Sequence, residues 1–320
     1  MRRALPERIV SLLCFAALLI MCACAGSALA SDNTGERVSV VATIFPPFDL
    51  ARAIAAEMAD VEMLLPPGSE SHSFEPTPRD ILKIQNCDVF IYVGGDSDEW
   101  INGMLESMDM SGKQVVTLMD CVETVEEEIV EGMEEEEEEE ETGEPEYDEH
   151  VWTSPRNASL IADKIADALA AADPDNAGDY LANADSYKLE LDALDEAFRE
   201  VTDSASRRTF IFGDRFPFRY FADAYGLSYY AAFPGCSTET EPSAATIKFL
   251  IDKMNEERIP VVFHLELSNG KMAETIAEAT GAAVRTLHAA HNISKDDFEA
   301  GLTYLDIQRA NVEALREALN

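Results

Sequence analysis

Lysine and arginine are scarce in this 320-residue chain: 24 of them face 62 aspartates and glutamates, for a net charge of −38. A surface so short of cations is unsuited to nucleic acid or anionic lipid, whose phosphates are neutralised by Lys and Arg. It suits a protein that draws cations towards itself. Long apolar runs are equally rare. Only the stretch from Ile9 to about Ala25 is apolar enough to cross a bilayer, which excludes a multi-span channel or permease. The chain has no Gly-rich Walker loop, no His-Glu-x-x-His helix and no Gly-x-Ser-x-Gly elbow. The commonest sequence signs of ATP hydrolysis, zinc proteolysis and serine catalysis are therefore missing. The apolar fraction of 47% is nonetheless ample for packed cores, so wholesale disorder is excluded too.

The N-terminus reads as an export signal. Arg2, Arg3 and Arg8 precede the apolar stretch, and small residues end in Ala28-Leu29-Ala30, an A-x-A-like cleavage site. A lipoprotein signal with Cys24 as the lipidated residue is the alternative, and an uncleaved anchor a third. All three place residues 31–320 outside the cytoplasm, in the periplasm or on the outer face of the membrane. Three of the six cysteines, Cys14, Cys22 and Cys24, belong to this segment. The remaining Cys87, Cys121 and Cys236 are an odd number and form no disulfide framework. Cys87 opens an apolar run and is expected in a core. A Cys87–Cys121 bridge is open, and Cys236, in a turn, is a candidate free thiol.

Short β-branched or apolar runs alternate with helix-like stretches. Strands are expected over 38–44, 61–65, 89–93 and 115–119, and again over 209–213, 227–233, 260–265 and 283–287. Helices are expected over 48–59, 78–86, 100–108, 218–225, 244–256, 269–280 and 296–319. Such alternation predicts an α/β fold of two lobes with mostly parallel sheets. The stretch 155–205 has no strand signal and reads as two helices, 157–171 and 174–201, with Asp173-Pro174 as N-cap and first-turn pair. The organisation expected is a signal over 1–30, a first lobe over 31–172, a stiff linking helix over 173–205 and a second lobe over 206–320. Ligands of such sheets bind beyond the C-terminal ends of the strands, here in the cleft between lobes. From Glu123 to Glu149 there are 17 acidic residues and no basic one, including the unbroken run from Glu134 to Glu141. Like charges repel and little can be buried, so 123–149 reads as a solvated loop, with a loose cation-collecting role as the functional reading.

Histidine is rare as well, at five residues, but its placement is not random. His72 follows one expected strand through Pro66-Pro67-Gly68, His288 directly follows another, and His150 stands where the acidic tract re-enters the fold. Three imidazoles and an oxygen donor make a zinc-like set. His264 lies inside an expected strand and reads as structural.

These motifs resemble a family, the periplasmic or lipoprotein solute-binding proteins of bacterial zinc and manganese ABC transporters. The resemblance covers about residues 36–320. It rests on Ala42-Thr43-Ile44-Phe45-Pro46-Pro47, on Ser71-His72-Ser73-Phe74-Glu75-Pro76, on Asp148-Glu149-His150-Val151-Trp152, on Phe218-Arg219-Tyr220-Phe221 and on Thr303-Tyr304-Leu305 with Asn311-Val312-Glu313. It implies two α/β lobes joined by a rigid helix, a metal site of His72, His150 and His288 in the cleft, and no enzymatic activity. The site carries no cofactor beyond its cargo, Zn²⁺, with Mn²⁺ as second choice. The implied partners are a membrane permease and a separate ATPase subunit, the protein itself being a monomer that touches lipid only through an N-terminal anchor. Two positions depart from the pattern. The third ligand position is Arg215, whose guanidinium cannot ligate. The fourth aligns with His288, with His291 its rival, and Asp214 and Glu266 are further candidates. An exported zinc enzyme, a metal-binding adhesin or chaperone on the same lobes, and a binder of a chelated iron complex are the competing functions.

Overall fold

The computed structural model describes residues 37–70, 74–133, 146–237 and 242–320. The export signal, His72 and the run from Glu134 to Glu141 lie outside the described residues. Four parallel strands, β1 (Val38–Ala42), β2 (Ala59–Met63), β3 (Val89–Tyr92) and β4 (Gln114–Thr117), form a first sheet in the order β2-β1-β3-β4. β3 is buried along its whole length, as a strand covered by helices on both faces requires. Its connecting helices are α1 (Phe45–Ala55), α2 (Pro78–Asn86) and α3 (Glu99–Ser107). α1 starts three residues earlier than the sequence pattern predicts. Pro46 and Pro47 fall in its first turn, where a missing N–H is no loss and the fixed φ suits the helix. α2 opens with a capping box. Asp80 N–H donates to Thr77 Oγ1 at 3.3 Å and Thr77 N–H to Asp80 Oδ2 at 3.0 Å. Such a cap is worth about 1 kcal/mol and fixes the start of α2.

Two helices follow, α4 (Pro155–Ala172) and α5 (Ala177–Asp203). The expected Asp173-Pro174 start is not where α5 begins. Asp173 Oδ2 instead accepts from Asn176 Nδ2 at 2.6 Å and Tyr180 Oη at 3.0 Å, closing a turn that delays the helix to Ala177. At 27 residues α5 is about 40 Å long. Beyond it lie β5 (Thr209–Phe212), β6 (Arg215–Phe216), α6 (Arg219–Tyr225), β7 (Ser228–Tyr230), β8 (Phe233–Pro234), α7 (Ala244–Glu257), β9 (Val261–His264), α8 (Lys271–Thr280), β10 (Ala283–Thr286), α9 (Lys295–Ala300) and α10 (Tyr304–Leu319). The second sheet is also all parallel, in the order β10-β9-β5-β7, and β6 pairs separately with β8. The single helix expected over 296–319 is broken at Gly301, whose φ of +77° ends α9, and a Thr303–Asp306 capping box starts α10.

One continuous hydrophobic core runs from the first sheet through α5 to the second. Among its residues are Val40 and Ile91, then Tyr187, Leu191 and Phe198, then Phe210, Phe212 and Phe263. The fold is thus two parallel-sheet α/β lobes with a shared helical spine. Among the described residues no helix is long and apolar enough to cross a membrane.

Candidate metal centre

His150 closes the segment that returns from the acidic tract, just after an antiparallel bridge between Glu126 and Tyr147. Asp148, Glu149 and His150 are all buried. Asp148 Oδ1 accepts from the His150 backbone N–H at 2.7 Å and lies 2.9 Å from His150 Nδ1. Tyr220 Oη donates to the Asp148 carbonyl at 2.7 Å and holds that turn in place. A carboxylate on Nδ1 is an arrangement common among metal-ligating histidines. Burial opposes a charge on His150. Asp148, and then Glu149 and Glu127, outweigh it and raise its pKa above the ordinary value. The backbone of Gly235 packs on the ring so closely that a Cβ there would stand 3.0 Å from His150 Cε1.

The second arm is the loop after β10. Glu266, just beyond β9, accepts the backbone N–H groups of Ala289 (2.8 Å) and His291 (3.0 Å). Its Oε1 also lies 3.5 Å from Nδ1 of both His288 and His291. Burial works against the charge of Glu266, but His288, His291 and the Ala289 N–H hold its carboxyl down at about 2. His291 is pushed down to about 4 by burial first, then by His150, with Arg215 adding to the effect and Glu266 opposing it. A neutral imidazole is the form that ligates a metal. Ala290 and Leu267, next to these groups in sequence, have φ of +65° and +59°. Left-handed backbone at non-glycine residues is uncommon, and at these two positions, unlike Ala56 and Arg258, it does not cap a helix.

The two arms meet. The rings of His150 and His291 are edge to face with centroids 4.5 Å apart. Trp152 stands against both, at 5.5 Å from His150 and 5.4 Å from His291. Its Nε1 donates to the Ala289 carbonyl at 2.7 Å, and Tyr304 Oη donates to its own carbonyl at 2.6 Å. The segment 66–69, which precedes His72 in sequence, is tied to the same place. Asn292 Nδ2 donates to the carbonyls of Pro66 and Ser69, both at 2.8 Å, and Gly68 N–H donates to Ile293 O at 2.8 Å. His72 itself lies outside the described residues.

His288 is differently placed. Asn311 grips its backbone from both sides, accepting from its N–H at 2.9 Å and donating to its carbonyl at 2.8 Å. Ala290 N–H donates to His288 Nδ1 at 2.9 Å. That bond uses the Nδ1 lone pair and sets the proton on Nε2, so in this arrangement neither ring nitrogen offers a lone pair. His264 ends β9, with Nδ1 2.8 Å from the Leu265 carbonyl and Nε2 3.1 Å from Thr286 Oγ1, a structural role. Asp214 accepts the N–H groups of Arg215 and Leu265 and serves the backbone. Arg215 is fixed by Phe216, which stacks on Tyr229 with centroids 3.5 Å apart, so that strand alternation turns the guanidinium to the opposite face. There it donates to the Ser237 carbonyl and Glu70, each at 3.2 Å. Cys87 is buried, and Cys87, Cys121 and Cys236 are all free thiols, so the Cys87–Cys121 bridge is absent. Cys236 Sγ shares a 4.8 Å cluster with carboxylate oxygens of Glu127 and Glu146.

Asp148, Trp152 and Asn311 stand in the motifs that carry the resemblance, but nothing in the sequence gives their roles, and Asn292 carries no signal at all. Asp148 offers one further hint, as a carboxylate two residues before a candidate histidine. The others act across 23 to 226 positions of chain, which no local pattern reveals.

Comparison with known proteins shows the family of the chain. The family described as zinc-uptake complex component A periplasmic, ZnuA, matches residues 40–318. The high-affinity zinc uptake system protein ZnuA of Bacillus subtilis (strain 168) is 33% identical over 309 residues, 95% of each chain. The zinc-binding lipoprotein AdcA of Streptococcus pneumoniae (serotype 4) is 30% identical over 94% of this chain, which spans 60% of that longer protein. The Zn(II)-bound ZnuA-like domain of Streptococcus pneumoniae AdcA superposes with a TM-score of 0.74 at 26% identity, covering 89% of this chain and 99% of the domain. The chain belongs to the ZnuA family of zinc-uptake components.

Proposed function

We propose that this protein is the extracytoplasmic binding component of a zinc uptake system. It captures Zn²⁺ between its lobes and hands it to a membrane permease driven by a separate ATPase subunit. The observation that carries this reading is the His150–His291 pair, the first buried and the second half-buried, each imidazole backed by its own carboxylate, Asp148 and Glu266. Carboxylate-backed imidazoles are the usual first layers of a zinc site. His72, just after the segment tied down by Asn292, is the third ligand. His291 is preferred to His288 because it faces His150, whereas His288 Nδ1 is occupied by the Ala290 N–H. The nitrogen-rich set favours zinc over manganese, which prefers oxygen donors. A role in capture without chemistry fits the relatives, which are named as zinc-uptake and zinc-binding proteins, and it makes an enzyme the less favoured reading. The relatives named as lipoproteins support export and leave Cys24 as the candidate anchor residue.

The test is competitive titration of the purified, metal-stripped protein with Zn²⁺ and Mn²⁺ against a chromophoric chelator. One tight zinc equivalent and weaker manganese are expected. Tighter manganese, or no tight equivalent, would overturn the assignment.

A further inference from the structure

The acidic stretch 123–149 reads in the sequence as one solvated loop, but its two ends are built into the fold. Glu127 N–H donates to the Glu146 carbonyl at 2.9 Å and Asp148 N–H to the Val125 carbonyl at 3.0 Å, so the outgoing and returning chain pair as a short antiparallel stem. Tyr220 on α6 holds both sides of that stem. Its Oη accepts from Val125 N–H at 3.3 Å and donates to the Asp148 carbonyl at 2.7 Å. The outgoing side continues along the second lobe. Glu128 meets Tyr229 Oη at 3.3 Å and Arg219 at 3.4 Å, Glu131 meets Lys253 at 3.5 Å, and Gly132 lies so close to the Phe249 ring that no side chain would fit. Exposed ion pairs add little each, so the stem is held chiefly by its backbone pairs and by Tyr220.

Glu127 joins this stem to the metal centre. Its neighbours Glu126 and Glu128 are exposed, whereas Glu127 is half-buried and its Oε1 accepts from Cys236 N–H at 3.1 Å. Cys236 follows Gly235, whose backbone lies on the His150 ring. A Cβ at Gly235 would stand 3.0 Å from His150 Cε1, 3.1 Å from its Nδ1 and 3.0 Å from the Phe216 carbonyl, so a side chain there would push on the ring. Two contacts thus fix His150, the Asp148 carboxylate and the Gly235 backbone. Both lead back to the stem, Asp148 through its pair with Val125 and Gly235 through the bond from Cys236 to Glu127. A backbone N–H left without an acceptor away from water is costly, so loss of the Glu127 oxygen would send the Cys236 N–H to another partner and move the loop off the ring. We propose that Glu127 is a positioning residue for metal capture, which seats the Gly235 backbone against His150 through the Cys236 N–H. The stem of the acidic tract is then a structural part of the metal centre, and Glu127 serves it as a hydrogen-bond acceptor rather than as a charge. This rests on the zinc-binding reading above through His150 alone, and it adds a residue that the reading does not use.

The test compares variants of the purified, metal-stripped protein. Glu127→Ala removes the acceptor. Glu127→Gln keeps an oxygen for Cys236 and removes the charge. Glu123→Ala removes an exposed charge of the same tract. Gly235→Ala sets a methyl against the ring and serves as the second variant if Glu127→Ala fails to fold by circular dichroism. Two quantities are read: zinc affinity by chelator competition, and the His150 ring-nitrogen NMR signals of the metal-free protein, assigned with His150→Ala. Glu127→Ala and Gly235→Ala are each expected to weaken zinc about tenfold and to shift the His150 signals, while Glu127→Gln and Glu123→Ala stay within about threefold of the parent. A loss below about threefold in Glu127→Ala, or an equal loss in Glu127→Gln or Glu123→Ala, would overturn the proposal and leave the zinc reading standing. So would His150 signals that stay in place in Glu127→Ala, or in Gly235→Ala where Glu127→Ala is unfolded. A parent protein that binds no zinc would overturn the zinc reading, and the His150 signals would still decide the role of Glu127.

Discussion

His150 and His291 come from segments 141 positions apart and meet edge to face with ring centroids 4.5 Å apart. Each is held from behind by a carboxylate on its own side of the site, Asp148 two residues before His150 and Glu266 at the end of the neighbouring strand β9. Both rings are therefore oriented from behind, and under the proposed zinc site the affinity should depend on residues that never touch the ion.

Asp148→Asn is the simplest check of that dependence. The amide keeps the size but loses the charge that orients the His150 ring. Zinc affinity is expected to fall about 10–100-fold, the usual worth of such a partner, with the fold unchanged by circular dichroism. An affinity within twofold of the parent would show that Asp148 does not orient the ligand.

Zinc affinity should also depend on pH, with a predictable sign. A protonated imidazole cannot ligate, so binding is strong above the pKa of the metal-free ligand and weakens as pH falls through it. His150 lies above its ordinary value of 6.5, and His291 is already neutral down to about 4. His150 is thus the group whose proton competes first. Titration from pH 8 to pH 5 is expected to weaken zinc by about tenfold or more. A flat profile over that interval would exclude imidazole ligation.

Trp152 offers an optical readout. It lies 5.5 Å from His150 and 5.4 Å from His291, and the chain has only one other tryptophan, Trp100. Zinc added to the stripped protein should change the emission with a one-to-one endpoint. Trp152→Phe should abolish the change while keeping the Trp100 signal. It should also weaken zinc several-fold, because the bond from Nε1 to the Ala289 carbonyl is lost. A zinc-dependent signal surviving in Trp152→Phe would mean that the metal binds elsewhere.

Beside the site, Glu149 is buried, and burial raises its pKa to about 7, although the Ser97 N–H donates to it at 2.7 Å. A carboxyl raised in the folded state favours folding below its unfolded pKa, and that stability is lost as pH rises towards the folded value. The metal-free protein should therefore gain stability between pH 7.5 and 5 from this group. Glu149→Gln keeps an oxygen for Ser97 and removes the charge. It should stabilise the metal-free protein by about 1–3 kcal/mol at pH 7.5 and by little at pH 5. Thermal melts at both pH values decide it, and equal effects at both would contradict the burial argument.

Much of the architecture was legible because buried parallel strands announce themselves. The runs around Val40, Ile91, Ile211 and Val262 are continuous and apolar, and each lies in a strand of the sheets. Helix ends were less legible, since Asp173 looks like a cap but spends its carboxylate on Asn176 and Tyr180. At the site, His150 was visible from its place after the acidic tract. The proposed preference for His291 over His288 was not, because it rests on a bond from the Ala290 N–H and on the left-handed backbone at Ala290, neither of which leaves a mark in the sequence. Arg215 is visible in the sequence as a departure from the family pattern, but its partners, the Ser237 carbonyl and Glu70, lie 22 and 145 positions away.

The most direct measurement is zinc affinity by chelator competition in His291→Ala and His288→Ala, side by side with the parent protein. Loss of a ligand should exceed what an outer partner is worth, so His291→Ala is expected to lose more than about 100-fold, and His288→Ala less than about tenfold. The reverse order, with His288→Ala the severe variant and His291→Ala mild, would contradict the His150–His291 centre.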